Sequence, residues 1–322
     1  MNNLLVFRLS ALGDVAMTLP VIYSVARQYP HVKLTVVTRP FFRRLFLNPP
    51  SNVGFIDFTA KTAKELISFI KKLKANEYSA VADLHDVIRT RAIRMALRLK
   101  KLPVATVNKD RRARKRLTDK KERTYQRNYV DRYADVFAQL GYPVNVDFDG
   151  FAEPAAERSG VGIAPFARYM TKTYPPELME DVAQALTDRD IPVYLFGARG
   201  SEEEQLREWV SRNPKLTLMA GHLSLEEELK AMGRLQLMVS MDSANMHLAS
   251  LMRTPVVSIW GSTIPQCGFM GYGQTPGRAV WLDLECQPCS IAGLRECPIG
   301  HYACLERIPP QAIVDKILEN LK

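Results

Sequence analysis

Residues 4–26 read LLVFRLSALGDVAMTLPVIYSVA. The first four, LLVF, are apolar and have the composition of a buried strand. Leu19, Ile22, Tyr23 and Ala26 then recur at i, i+3, i+4 and i+7, the spacing of a helix with one apolar face. Pro20 is tolerated only in an opening turn, so this helix is expected to begin near residue 18. A strand that passes through a short turn into a helix is one βα unit. Ser10, Gly13 and Asp14 occupy that turn, at the strand's carboxyl end, where open parallel sheets bind ligands.

The alternation continues along the chain. KLTVVT (33–38), VGFIDF (53–58), SAVADL (79–84) and PVATV (103–107) read as further strands, with helical patterns between them. DFDGFAEPAAERSG (147–160) is polar, contains Gly and Pro, and reads as a linker. Beyond it VGIA (161–164), PVYLFG (192–197), LTLMA (216–220), LQLMVS (235–240) and PVVSIW (255–260) restart the pattern. Strands alternating with helices predict parallel sheets covered on both faces. The fold class is therefore α/β, with two Rossmann-like domains, 1–150 and 151–322, and a ligand cleft where they face. A length of 322 residues suits two domains. A last helix, 309–321, opens on Pro309 and Pro310 and carries Ile313, Val314, Ile317, Leu318 and Leu321 in one stripe. That stripe must be buried, and packing back on the first domain would do it.

With 47% apolar and 24% charged residues, the chain cannot be mainly disordered. No apolar run approaches the roughly 18 residues that span a bilayer. Arg8 interrupts the N-terminal apolar stretch, which argues against a cleaved secretory signal, and a soluble cytosolic protein is expected. The net charge of +10 is uneven: residues 1–150 hold 28 basic and 13 acidic side chains, and the remainder is net −5. An anionic partner for the first half follows, whether nucleic acid, lipid or phosphorylated saccharide. KDRRARKRLTDKKER (109–123), with nine basic and three acidic residues, could track phosphates. It lacks interleaved aromatics and any reader module, so only weak, unspecific nucleic-acid binding is expected.

Several side chains fit chemistry, and each also has a plainer reading. Asp14 can act as a general base, or simply cap the next helix. Asp83, His85 and Asp86 follow the fourth strand. They could move a proton or hold a hydroxyl, or Asp86 could cap a helix with Arg89, Arg91 and Arg94 in solvent. In MDSANMH (241–247), Asp242 and Ser243 precede a helix whose N-terminal N–H groups suit a pyrophosphate, with His247 one turn in. Lys172, between Thr171 and Thr173, could neutralise a phosphate or be solvated. The glutamates of FGARGSEEE (196–204) suit a helix start or ribose hydroxyls. Cys286, Cys289, Cys297 and Cys304 are spaced C-x2-C-x7-C-x6-C, loosely a tetrathiolate zinc knuckle, although reduced buried thiols fit as well. Asp147 and Asp149 resemble a metal-binding Asp-x-Asp doublet but lie in the linker. There is no phosphate loop and no H-E-x-x-H, and GYGQTPG (271–277) lacks dinucleotide spacing.

Taken together, FRLSALGDVAMTLPV, TKTYP, MDSANMHLASLMRTPVVSIWGST and CQPCSIAGLRECPIGHYACLERI resemble, in this order, glycosyltransferase family 9, the lipopolysaccharide heptosyltransferases. Ala244 and Asn245 stand where Gly and Pro are more usual. The resemblance implies a GT-B fold, with acceptor on the first domain and nucleotide-sugar on the second. It also implies an inverting transfer without obligatory metal or cofactor, ADP-heptose being the donor. Asp14 would be the general base. Thr171 and Lys172 would hold the diphosphate and Glu202 the ribose, with the backbone at Leu223 beside the adenine. Asp242 would contact the heptose, and Ser243, Ala244 and His247 would lie near the phosphates. On the acceptor side Ser10, Gly13, His85, Asp86 and Arg112 are expected. The acceptor would be an anionic lipopolysaccharide precursor at the cytoplasmic face of the inner membrane, with residues 109–123 and Arg39, Arg43 and Arg44 docking the first domain there. Another nucleotide-sugar transferase, or an epimerase of the same fold, is the alternative.

Overall fold

The computed structural model describes residues 2–120, 123–151 and 157–321. Among the described residues eleven strands run β1 (Asn3–Phe7), β2 (Lys33–Thr38), β3 (Val53–Asp57), β4 (Ala80–Asp83), β5 (Val104–Thr106), β6 (Val161–Ala164), β7 (Val193–Leu195), β8 (Leu216–Leu218), β9 (Leu237–Met241), β10 (Val256–Ile259) and β11 (Ala279–Val280). The helices are α1 (Leu12–Ala16), α2 (Leu19–Gln28), α3 (Pro40–Arg43), α4 (Ala63–Lys72), α5 (Ile88–Leu99), α6 (Arg111–Thr118) and α7 (Tyr129–Gln139). They continue as α8 (Pro176–Thr187), α9 (Ser201–Arg212), α10 (Leu225–Gly233), α11 (Ala244–Leu251), α12 (Ala303–Glu306) and α13 (Pro310–Asn320).

The chain divides into two compact units. Unit 1 comprises Met1–Lys109 with Arg127–Asp149, and unit 2 comprises Asp110–Gln126 with Gly150–Lys322. Each contains one all-parallel sheet, β3-β2-β1-β4-β5 in the first and β11-β10-β9-β6-β7-β8 in the second. This is the α/β, GT-B type of architecture, two Rossmann-like units. Winding reverses between β1 and β4 in unit 1 and between β6 and β9 in unit 2. These are the switch points beyond which such sheets bind ligands.

Apolar strands explain the cores. β1 is buried from Leu4 to Phe7, because a central parallel strand is covered on both faces. Leu5, Phe7, Val37, Val81, Ile93 and Leu97 pack together in unit 1. In unit 2 Val161, Ile163, Val239, Met241, Val257 and Ile259 form the corresponding sheet core.

Two expectations need correction. The stripe on α13 is buried by its own unit, with Ile313, Val314 and Ile317 packed in the unit 2 core and α13 lying on α8. It does not need the first domain. The basic segment after residue 109 also leaves the first domain. Leu117, fully buried, packs with Ile264, Cys267 and Ile291, while the Gln126 amide donates to the Gln266 carbonyl at 2.8 Å. Burial of one apolar face thus outweighs chain continuity, and Arg112, expected on the acceptor domain, sits exposed on a helix of unit 2. Of the linker read at 147–160, residues 152–156 lie outside the described residues, as do 121 and 122 of the basic segment. Asp147, at the start of the linker, is ion-paired to Arg27 at 2.7 Å, so one half of the Asp-x-Asp doublet is engaged by a helix contact.

Candidate active site

In unit 1, Phe7 of β1 lies opposite Asp83 of β4, so the turns after the two strands emerge side by side. The β1 turn carries Arg8, only 5% exposed. Its guanidinium reaches the Asp14 carboxylate at 2.7 Å, donates to the Leu84 carbonyl at 2.8 Å and donates to the Tyr133 hydroxyl at 3.0 Å. Burial opposes the Arg8 charge, but the neighbouring Tyr133 and the Asp14 carboxylate hold its pKa above the ordinary value. Asp14 lies in α1 and also accepts from the Ala11 amide at 3.3 Å, so the capping and chemical readings of this residue coexist. Its side chain keeps 32% exposure.

The β4 turn is organised by Asp83, which is fully buried. One oxygen accepts from the His85 and Asp86 amides at 3.0 Å, and the other accepts from Arg94 at 2.8 Å. Asp86 holds Arg91 at 3.0 Å and Arg94 at 3.0 Å. These two arginines are ion-paired rather than left to solvent. Asp86 precedes the first residue of α5 by two positions and does not cap it. His85 Nδ1 accepts from the Leu9 amide at 3.3 Å, which leaves the ring proton on Nε2. Burial, with the charges of Arg8 and Lys109, lowers its pKa to about 3. At neutral pH the ring is uncharged and can donate or orient, but it cannot serve as an acid.

In unit 2, Ala164 of β6 pairs with Ser240 of β9, which sets the 165–172 loop beside the start of α11. The Lys172 ammonium meets the Asp242 carboxylate at 2.8 Å, both side chains largely buried. The same carboxylate oxygen accepts from the Thr263 hydroxyl at 2.6 Å. Ser243, the N-cap of α11, makes no side-chain cap bond, so the helix's first N–H groups are not taken by it. Ala244 and Asn245 open the helix without disturbing it. His247 is buried on α11 one turn further on. Thr171 is different. Its hydroxyl, 2% exposed, donates to the Leu294 carbonyl at 2.7 Å and accepts from the Leu294 amide and from Ser262. It ties the 286–294 loop to the site, and it has no capacity left for a phosphate. That loop also needs Gly293, since a Cβ there would run into the side chains of Lys172 and Tyr169.

Glu202, in the first turn of α9, accepts from the Ala198 amide at 2.7 Å and so orders the turn after β7. Leu223, half-buried, lies in the loop between β8 and α10. Glu228 on α10 has its pKa pushed up to about 7 by burial and by the charge of Glu202.

The cysteine-rich end does not assemble as a zinc knuckle. Among the described residues no three His, Cys, Asp or Glu side chains are grouped to hold a metal ion. Cys304 is buried in the unit 2 core, its thiol pushed up to about 12 by burial. Cys297, despite partial burial, is held lower by the amides of Tyr302, Ile299, His301 and Gly300.

Sequence reasoning missed Arg8 and Thr263 as site residues. Arg8 had a visible signal, a charge set directly after a fully apolar strand. Thr263 had none, since its partner lies 21 residues earlier.

The match to known proteins covers most of the chain. Residues 66–300 fit the family model of glycosyltransferase family 9 (heptosyltransferase). Lipopolysaccharide heptosyltransferase 3 of Escherichia coli is 26% identical over 282 residues, 78% of this chain and 81% of that one. The solved structure of E. coli ADP-heptose LPS heptosyltransferase II superposes with a TM-score of 0.72 at 18% identity, covering 100% of this chain and 98% of the other. E. coli heptosyltransferase WaaC, solved with ADP-2-deoxy-2-fluoro heptose, gives 0.69 at 21% identity, with 99% of each chain covered. The chain belongs to glycosyltransferase family 9, the heptosyltransferases.

Proposed function

We propose that the chain transfers a heptose from ADP-heptose to a lipopolysaccharide core acceptor with inversion at the anomeric carbon. The reading is carried by one observation: Lys172, Asp242 and the uncapped start of α11 converge at the carboxyl edge of the unit 2 sheet, from segments 70 residues apart in sequence. That edge presents a cation and oriented N–H groups, the donors a departing diphosphate requires. The names and contents of the similar proteins support ADP-heptose as donor and lipopolysaccharide as acceptor.

In this reading Lys172 exchanges part of its contact with Asp242 for the diphosphate, and Asp242 turns its freed oxygen to the heptose. Ser243, Ala244 and His247 line the phosphate side, Glu202 takes the ribose, and the backbone at Leu223 borders the adenine. Asp14 removes the proton from the acceptor hydroxyl as its oxygen bonds to the anomeric carbon and the bond to ADP breaks. Ser10, Gly13, His85 and Asp86 form the acceptor side, with His85 Nε2–H as a donor. The acceptor, anchored in a bilayer, brings the chain to the cytoplasmic face of the inner membrane.

The test is product analysis. Purified protein is incubated with ADP-heptose and core-truncated lipopolysaccharide, and the product is read by mass spectrometry and anomeric NMR. A heptosylated acceptor with inverted configuration and one ADP released per transfer is expected. Acceptor-independent change of the donor sugar would favour the epimerase alternative, and transfer only from another nucleotide-sugar would refute the donor.

A further inference from the structure

Helix α5 has two apolar faces. Thr90, Ile93 and Leu97 turn into the unit 1 core. On the opposite side Ile88, Met95 and Leu99 are exposed at 84%, 64% and 87%. Spacings of seven and four residues place them in one row. Folding cannot explain that row, because the other face of the helix already fills the core. Arg91 and Arg98 border it. On α4, which packs against α5, Ile67 is 55% exposed and lies between Lys64 and Lys71 at i−3 and i+4. The Arg89 guanidinium donates to the Lys61 carbonyl at 3.2 Å and ties the start of α5 to the approach to α4.

Where the two helices end, an open cavity of about 580 Å³ is lined by Lys71, Lys74 and Lys100 among Leu73, Tyr78 and Leu102. Among the described residues no carboxylate lines it, although Glu77 reaches Lys74 at 3.4 Å from beside it. Lys71 follows Ile67 by one turn, and Lys100 directly follows Leu99, so the cationic cavity adjoins both exposed apolar positions.

We propose that the α4–α5 face is the surface by which unit 1 docks on an anionic phospholipid bilayer. Ile88, Met95, Leu99 and Ile67 enter the interface, and the cavity lysines with Arg98 take lipid phosphates, while Arg91 stays paired to Asp86. A bilayer fits this combination because it offers apolar depth beneath a layer of negative charge. A second copy of the chain fits it poorly, since a symmetric contact would oppose the same cations to one another. Unit 1 as a whole holds 20 basic and 10 acidic residues, and unit 2 holds 24 of each. The surface replaces the basic segment, whose described residues after Lys109 belong to unit 2, and Arg43, which is turned toward Asp57 at 3.9 Å and over the Phe55 ring. It deepens the membrane location proposed above, but its readout needs neither donor nor acceptor, so its failure leaves the transfer reaction standing.

Vesicle co-sedimentation of the full chain is the test, using phosphatidylcholine with and without phosphatidylglycerol. The unsubstituted protein is expected to bind the anionic vesicles and to lose most of that binding on neutral ones. Substituting Ile88→Ser, Met95→Ser and Leu99→Ser together should lower the partition coefficient about tenfold or more. Each of Lys71→Gln, Lys74→Gln and Lys100→Gln should lower it about fivefold. These side chains are exposed or line an open cavity, and circular dichroism and an unchanged melting temperature verify folding. Absence of binding to anionic vesicles, or binding unchanged in the apolar triple variant, overturns the proposal. A dimer by light scattering that becomes monomeric in the triple variant overturns it too, in favour of self-association.

Discussion

At the residue scale, Arg8 and Asp14 form an ion pair in the turn after β1. Arg8 is buried and needs a counter-charge, and the turn supplies Asp14 at 2.7 Å. Removing the carboxylate therefore leaves a buried guanidinium uncompensated, in addition to removing the proposed base. Asp14→Asn should reduce turnover by about 10²–10⁴-fold, with donor affinity within about twofold of the parent. Parallel melting curves separate the stability loss from the catalytic one, and wild-type turnover in a folded variant would remove Asp14 from the base role. Lys172→Ala should weaken ADP binding by about tenfold, read by calorimetry. Unaltered affinity would assign the Lys172–Asp242 pair to structure alone. His85 carries a pH dependence of a definite sign. Its folded pKa of about 3 lies below the unfolded value of 6.5, so the unfolded chain binds the extra proton between these limits. The stability it provides is complete above about pH 6.5 and is lost as pH falls toward 3, by at most about 1.4 kcal/mol per pH unit. His85→Asn should flatten that slope in denaturant titrations between pH 4 and 6.5, and an unchanged slope would contradict a buried neutral ring.

At the element scale, helix starts rather than helix interiors organise both sites. The β1 and β9 turns lead into α1 and α11, and each places one carboxylate beside a buried cation, Asp14 with Arg8 and Asp242 with Lys172. The third case is negative in character. Glu202 at the start of α9 faces Glu228 on α10, and the two like charges add to the burial of Glu228. A carboxyl whose pKa rises to about 7 stabilises fully below about pH 4.5, and that contribution disappears as pH rises through 7. Glu228→Gln, which stays neutral, should be more stable than the parent at pH 8 by on the order of 1–3 kcal/mol, and equal to it near pH 4. Melting temperatures at the two pH values decide this, and equal temperatures at both would exclude the buried carboxyl. Sequence periodicity anticipated ten of the eleven strands, KLTVVT (33–38) and VGIA (161–164) to the residue. It missed β11, because two residues, Ala279 and Val280, carry no period at all and pair only through β10. It also missed α1, five residues long, too short to show a repeat.

At the scale of the whole molecule, the division into units does not follow the chain. α6 and its flanks leave unit 1 after Lys109 and return at Arg127, held in unit 2 by Leu117 among Ile264, Cys267 and Ile291. Leu117→Ala should destabilise by about 2–4 kcal/mol and raise hydrogen exchange around 262–291 rather than in unit 1. Exchange confined to unit 1 would return the segment to the first domain. The sequence by itself determined the α/β class, two successive Rossmann-like runs and the turns that bear Asp14, Lys172 and Asp242, because strand and helix periods and turn chemistry are local. Tertiary structure alone decided which cations those carboxylates meet and that Thr171 is spent on the 294 backbone. It alone decided that, among the described residues, the cysteines form no group of three for a metal, and which unit owns the basic helix. Each depends on burial and on partners far along the chain, and a pattern of neighbouring residues carries no record of either.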